Sequence, residues 1–176
     1  MAAFVMAYTI VQGAGAETSG QQAMIPPHVV LEPIRTDTNI IGIVIACEHS
    51  GQVPVLQLQV YSRDGERLLP DRRAGAAPKA EPGASIVLDD RPFRSNLLFA
   101  DRYAVVDDRT GPVAGLSDEL VAALLQARTM VLQFDLLEEE AGRPPRFDSE
   151  TTIHLDVTER AAIRRVAHCV DPRVSA

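Results

Sequence analysis

Among the side chains of this 176-residue chain, Cys47 and Cys169 are the ones whose number and position most restrict their chemistry. Two cysteines have one intramolecular pairing, and a bridge between them would constrain the unfolded chain by about 5 kcal/mol at most. The alternatives are two separately buried thiols, since free cysteine packs as a small apolar residue, or thiolate ligands for zinc. Zinc would require His49 or His168 to converge with both cysteines, because neither cysteine belongs to a C-x-x-C pair. The disulfide is therefore the expectation, with no metal and no cofactor.

Carboxylates are grouped at Asp89-Asp90, Asp107-Asp108 and Glu138-Glu139-Glu140. Paired acids can bind calcium or divide acid and base roles in glycoside cleavage. None of these groups has the alternating oxygen ligands and closing glutamate of a calcium loop, so each is read as turn chemistry, as is Asp64 before Gly65. His28, His49, His154 and His168 are scattered, without an H-E-x-x-H pattern. There is no G-x-S-x-G elbow, no phosphate-binding loop and no G-x-G-x-x-G between strand and helix. No catalytic residue is assigned, and the expectation is a protein that is not an enzyme. Gln57 and Gln59, on one strand face with Tyr61, could offer an amide row to another strand, but a hydrated outer face is the simpler reading.

Charge narrows the partners. The net charge of −7 and sequence pI near 5.0 supply no basic face for a phosphate backbone, so nucleic acid is not expected. The absence of tryptophan and the 5% aromatic content argue against a sugar- or base-stacking platform.

The elements that must position these residues follow a leader. Residues 1–16 combine the apolar run Ala2–Val11 with Ala14 and Ala16 in an A-x-A pattern, the form of a cleaved secretory signal without a positive start. Ten apolar residues are too few for a bilayer span, which takes about twenty, and no later run is long enough. Residues 17–38, punctuated by Pro26, Pro27 and Pro33, read as an extended leader whose removal through residue 33 should spare folding but weaken partner capture. Residues 39–170 read as a single β-rich domain, followed by a tail at 171–176. Asn39–Cys47 is a β-branched central strand, paired in a hairpin with Val53–Tyr61, whose Leu56, Leu58 and Val60 alternate against Val55, Gln57 and Gln59. Leu69–Gly83 reads as a Pro/Gly/Ala surface loop. Ser85–Asp89, Ser95–Ala100 and Tyr103–Asp107 read as short strands. Ser117 caps an apolar-faced helix, Thr129–Leu137 and Thr151–Val157 form a second hairpin, and Thr158 caps a helix over Arg160–His168. The expected fold class is α+β, mostly β: an antiparallel β-sandwich with two short helices.

The strand ending in Cys47, the passage LSDELVAALLQARTMVLQFDL and the short helix leading to Cys169 resemble small periplasmic proteins of the invasion-associated locus B type and accessory proteins associated with type VI secretion. That resemblance spans roughly Asn39–Val170. It implies an exported β-rich sandwich and carries over no catalytic residue. The combined expectation is an exported, non-enzymatic envelope accessory or protein-binding module, located in the periplasm or secreted, whose partner is another envelope or secreted protein. The alternatives are a periplasmic hydrolase drawing on Asp89 or Asp108 with a histidine, and a small-ligand carrier with a pocket between sheet and helix.

Overall fold

The computed structural model describes residues 27–50, 53–63, 68, 77–100, 102–109, 112–138 and 147–170. The signal at 1–16, the leader up to residue 26, Asp64, Glu139, Glu140 and the tail at 171–176 lie outside the described residues. In chain order the strands are β1 (His28–Leu31), β2 (Arg35–Thr36), β3 (Ile40–Ser50), β4 (Val53–Ser62), β5 (Pro78–Leu88), β6 (Arg91–Phe99), β7 (Tyr103–Asp107), β8 (Thr129–Leu137) and β9 (Ser149–His154). Helix α1 (Asp118–Leu124) lies between β7 and β8, and helix α2 (Val157–Ala167) follows β9.

The chain is mostly β with two helices, as its patterning predicts, but the two-sheet sandwich is not shown. All nine strands pair antiparallel in one curled sheet, a half-barrel, in the order β1-β3-β4-β7-β6-β5-β8-β9-β2. The two expected hairpins are present as β3–β4 and β8–β9. They join one sheet because β4 pairs with β7 and β5 with β8, so the middle strands bridge one hairpin to the other. Curling follows from chain length: edge strands β1 and β2 are separated by Glu32, Pro33 and Ile34 alone, and that link reaches about 14 Å when fully extended. The two edges of the sheet must therefore approach one another.

The described part of the leader is not a free arm. Leu31 of β1 is fully buried, and β2 seals against β9 through a threonine seam in which Thr36 Oγ1 lies 2.8 Å from Thr151 Oγ1 and 3.0 Å from Thr38 Oγ1. Removing residues 17–33 would strip β1 from β3, so the expectation that this truncation spares folding is corrected. Proline made the segment extended, and extension is what a strand requires.

The concave side holds the core. Ile43, Ile45 and Cys47 of β3, Leu56, Leu58 and Val60 of β4, and Met130, Leu132 and Phe134 of β8 alternate inward with period two and are buried. The helices cover one end. Leu120, Val121 and Leu124 of α1 and Ile163, Val166 and Ala167 of α2 join the same core. Arg164 of α2 donates to the Leu125 carbonyl at the end of α1 (3.2 Å). Ser117 caps α1 as expected, whereas α2 begins earlier than Arg160, with Asp156 and Glu159 in a reciprocal capping box. Cys169, just past α2, is bonded to Cys47 of β3, which establishes the disulfide. No helix among the described residues is long and apolar enough to cross a membrane.

Candidate functional site

Three of the carboxylates singled out by the sequence, Asp89, Asp107 and Asp108, are committed to backbone amides. Asp89 accepts from the Arg128 and Thr129 N–H groups (2.9–3.1 Å) and ties the β5–β6 turn to the segment after α1. Asp108 accepts from the Ser117 N–H at 2.7 Å and from the Ser117 hydroxyl, at the start of α1. These two acids thus sit at opposite ends of one helix and are not brought together. Asp107 accepts from Gly115 N–H (2.9 Å) and Arg109 N–H (3.3 Å). His49, His154 and His168 are exposed at the ends of β3, β9 and α2, and His28 lies on edge strand β1. With Cys47 and Cys169 bonded to each other, the thiolate reading is removed, and no cluster of three metal-ligating side chains occurs among the described residues.

Gln57, Gln59 and Tyr61 do share the convex face of β4, but they are not a hydrated row. Gln59 is 3% exposed. Its amide nitrogen donates to Glu48 Oε1 (3.2 Å) and Gln57 Oε1 (3.1 Å), while its carbonyl accepts from Tyr61 Oη (3.0 Å). Gln57 in turn donates to the Ala114 carbonyl (3.1 Å), pinning the 112–116 segment over the sheet. Tyr61 also stacks on Tyr103 across β4 and β7, with ring centroids 5.2 Å apart. Burial, the neighbouring Tyr103 and the Glu48 carboxylate raise the Tyr61 phenol above its usual pKa. This network holds structure in place and presents no idle polar group.

An opening of different character lies where β6 changes neighbours. Asn96 pairs with Asp107 of β7 and also with Gly83 of β5. Before Asn96, β6 runs beside β5; after it, Leu97–Phe99 runs beside β7 alone among the described strands. Pro82 is the next residue of β5 in register with Leu97, and it has no N–H for a ladder. The β5–β8 pairing also shifts between Pro78 and Gly83, carrying β5 out of line. The Ala100 N–H donates to the Tyr103 carbonyl (2.8 Å), which sets the alternation: even residues of β6 turn their backbone groups toward β7 and odd residues turn theirs away, Leu97 toward the Pro82 carbonyl and Phe99 to a side with no partner strand among the described residues.

Beside this edge is a groove of about 630 Å³ lined by Gly83 and Ala84, by Arg94, Ser95 and Asn96 of β6, by Asp107–Arg109, by Asp135 of β8 and by Phe147. Gly83 leaves its floor low, since a β-carbon there would meet Asp135 Cβ at 3.9 Å and nothing nearer. Phe147 is the large apolar side chain of this lining, 47% exposed beside a polar floor. Asp135 Oδ2 pairs with Lys79 at 2.6 Å, while Asp135 Oδ1 and the Ser95 hydroxyl are buried without a partner among the described residues. Sequence reasoning missed this site because it assigned Leu69–Gly83 to a loop; the signal available was Pro82-Gly83 inside an otherwise strand-like run.

No family model, curated protein or solved structure matches this chain.

Proposed function

We propose that this protein is an exported, non-enzymatic binding module that takes up an extended segment of another envelope or secreted protein by strand addition to β6. The observation that carries the reading is the end of β6 at Phe99, whose side away from β7 has no partner strand among the described residues and which lies along β6 from the groove residues Arg94–Asn96. Main-chain hydrogen bonding to such an edge provides affinity, and the alternate side-chain pockets provide selectivity. Export is supported by the signal-like residues 1–16 and by the Cys47–Cys169 bridge, since disulfides persist mainly in oxidising compartments. The sandwich architecture and the likeness to locus B type proteins remain part of this proposal, drawn from the order of elements and the cysteine placement.

Selection from a displayed library of extended peptides tests the binding mode. Enriched peptides should protect the Phe99 amide from exchange. They should lose at least about tenfold in affinity for Phe99→Pro, which deletes an outward donor on an edge that tolerates proline, and for Gly83→Thr, which fills the groove floor. Peptides that bind both variants as they bind the parent would refute strand addition.

A further inference from the structure

The groove has a ligand chemistry of its own, independent of the β6 edge at Phe99. Asp135 of β8, Gly83 of β5 and Asn96 of β6 stand side by side in register, so they share one face of the sheet. Gly83 contributes no side chain to that row, which leaves bare backbone between a carboxylate and an amide. On the β8 side, Asp135 Oδ2 holds Lys79, while Oδ1 is buried with no donor among the described residues, a costly state for a carboxylate oxygen. On the side of β6 and β7, Arg94 and Arg109 line the groove and are exposed. Neither guanidinium has a hydrogen bond or ion pair among the described residues. The groove thus has an unmet acceptor at one wall and unmet cationic donors at the other. Its formal charges balance, with Arg94, Arg109 and Lys79 set against Asp107, Asp108 and Asp135.

We propose that this groove binds a small linear zwitterion of the ω-amino acid class, its ammonium on Asp135 and its carboxylate on Arg94 and Arg109. A bare anion would meet the arginines but leave Asp135 Oδ1 unmet, with Asp107 and Asp108 close by. A bare cation would satisfy Oδ1 but meet the like charges of the arginines. A molecule carrying both charges answers both walls. Their separation follows from the sheet: β8 and β6 flank β5, so their backbones lie about 10 Å apart. Side chains reach inward from both strands, leaving several bonds between the ligand's charges, more than an α-amino acid provides. The carboxyl torsion of aspartate is broad, so a turn of the Asp135 side chain brings Oδ1 to the groove. Arginine forks match carboxylate geometry, and the exposed Phe147 ring suits the methylene chain between the two charges.

The test titrates the isotope-labelled full chain, its disulfide intact, with ε-aminocaproate, caproate and hexylamine while NMR follows the backbone amides. The zwitterion ε-aminocaproate should shift the Gly83 and Asn96 amides first and bind at least about tenfold more tightly than either single-charge analogue, with the advantage shrinking as salt rises. Asp135→Asn should erase the advantage over caproate, and the double variant Arg94→Gln/Arg109→Gln should erase the advantage over hexylamine. The same spectra report whether each variant is folded, so a loss of binding is read from a native sheet. Equal binding of the three compounds, full affinity for ε-aminocaproate in either variant, shifts centred away from the groove, or no saturation at tens of millimolar would each overturn the zwitterion site. None of these outcomes touches strand addition at Phe99, which the peptide selection tests separately.

Discussion

At the scale of single residues, polar side chains in this protein mostly hold backbone in place, and Tyr61 shows the cost. Its phenol is half-buried, donates to Gln59 and lies near the Glu48 carboxylate, so its ionisation is resisted in the folded state. Below pH ~10 the folded and unfolded chains both keep the proton. Above it the unfolded chain ionises first, and the stability associated with the raised pKa is lost as pH rises through the folded value. Tyr61→Phe should therefore flatten the decline in urea-unfolding free energy between about pH 9 and pH 11, while costing about 1 kcal/mol at neutral pH for the lost hydrogen bond. An unchanged alkaline slope would show that Tyr61 is not its source. Gly115 makes a steric prediction. A β-carbon there would overlap Val55 Cγ1 and lie 2.9 Å from the Leu56 carbonyl oxygen, and Leu116 N–H is bonded to that same oxygen. Gly115→Ala should cost about 1–3 kcal/mol by denaturant titration, with the 112–116 segment gaining amide exchange before the sheet does.

At the scale of elements, local pattern carried far and then failed at definable places. β3, β4, β7, β8 and α1 are legible because β-branched runs, alternation and the Ser117 cap are short-range signals. The early start of α2 was also legible, since Asp156-Val157-Thr158-Glu159 has capping-box spacing, but Thr158 competed as the cap. The full extent of β5 and β6 was hidden by Pro78, Pro82 and Pro92, which punctuate like a loop and instead mark a bulge and strand margins. The groove was illegible for the same reason. It exists because β5 leaves β6 at Gly83, and that departure depends on which strands pair, a long-range fact. Strand β1 is the element whose importance the prolines most obscured. Leu31 is its buried anchor, and Leu31→Ala should destabilise the protein by about 2–5 kcal/mol. A loss under about 1 kcal/mol by urea titration would return this segment to the status of a detachable arm.

At the scale of the whole molecule, the fold is a curled sheet closed by contacts between distant parts of the chain. The threonine seam joins Thr36 to Thr151, the bridge joins Cys47 to Cys169 across 122 positions, and α2 packs against β1 and β3. These closures act differently. The seam adds short side-chain hydrogen bonds in the native state, each worth about 1 kcal/mol net. The bridge acts mainly on the unfolded chain, where its long loop removes more entropy than any single contact here adds. The Cys47→Ser/Cys169→Ser protein should thus fold to the same sheet yet be less stable by about 2–5 kcal/mol. The loss should also be uneven along the chain. Helix α2 is tied to the sheet through the bridge and through Ile163, Val166 and Ala167, whereas β5, β8 and β9 hold one another by continuous ladders. Native-state amide exchange on the variant should show α2 and β1 opening well below the global unfolding free energy, with β5 and β8 remaining at the global limit. Uniform loss of protection across all of these elements would instead mean that the bridge acts on the unfolded chain alone and that α2 needs no tether.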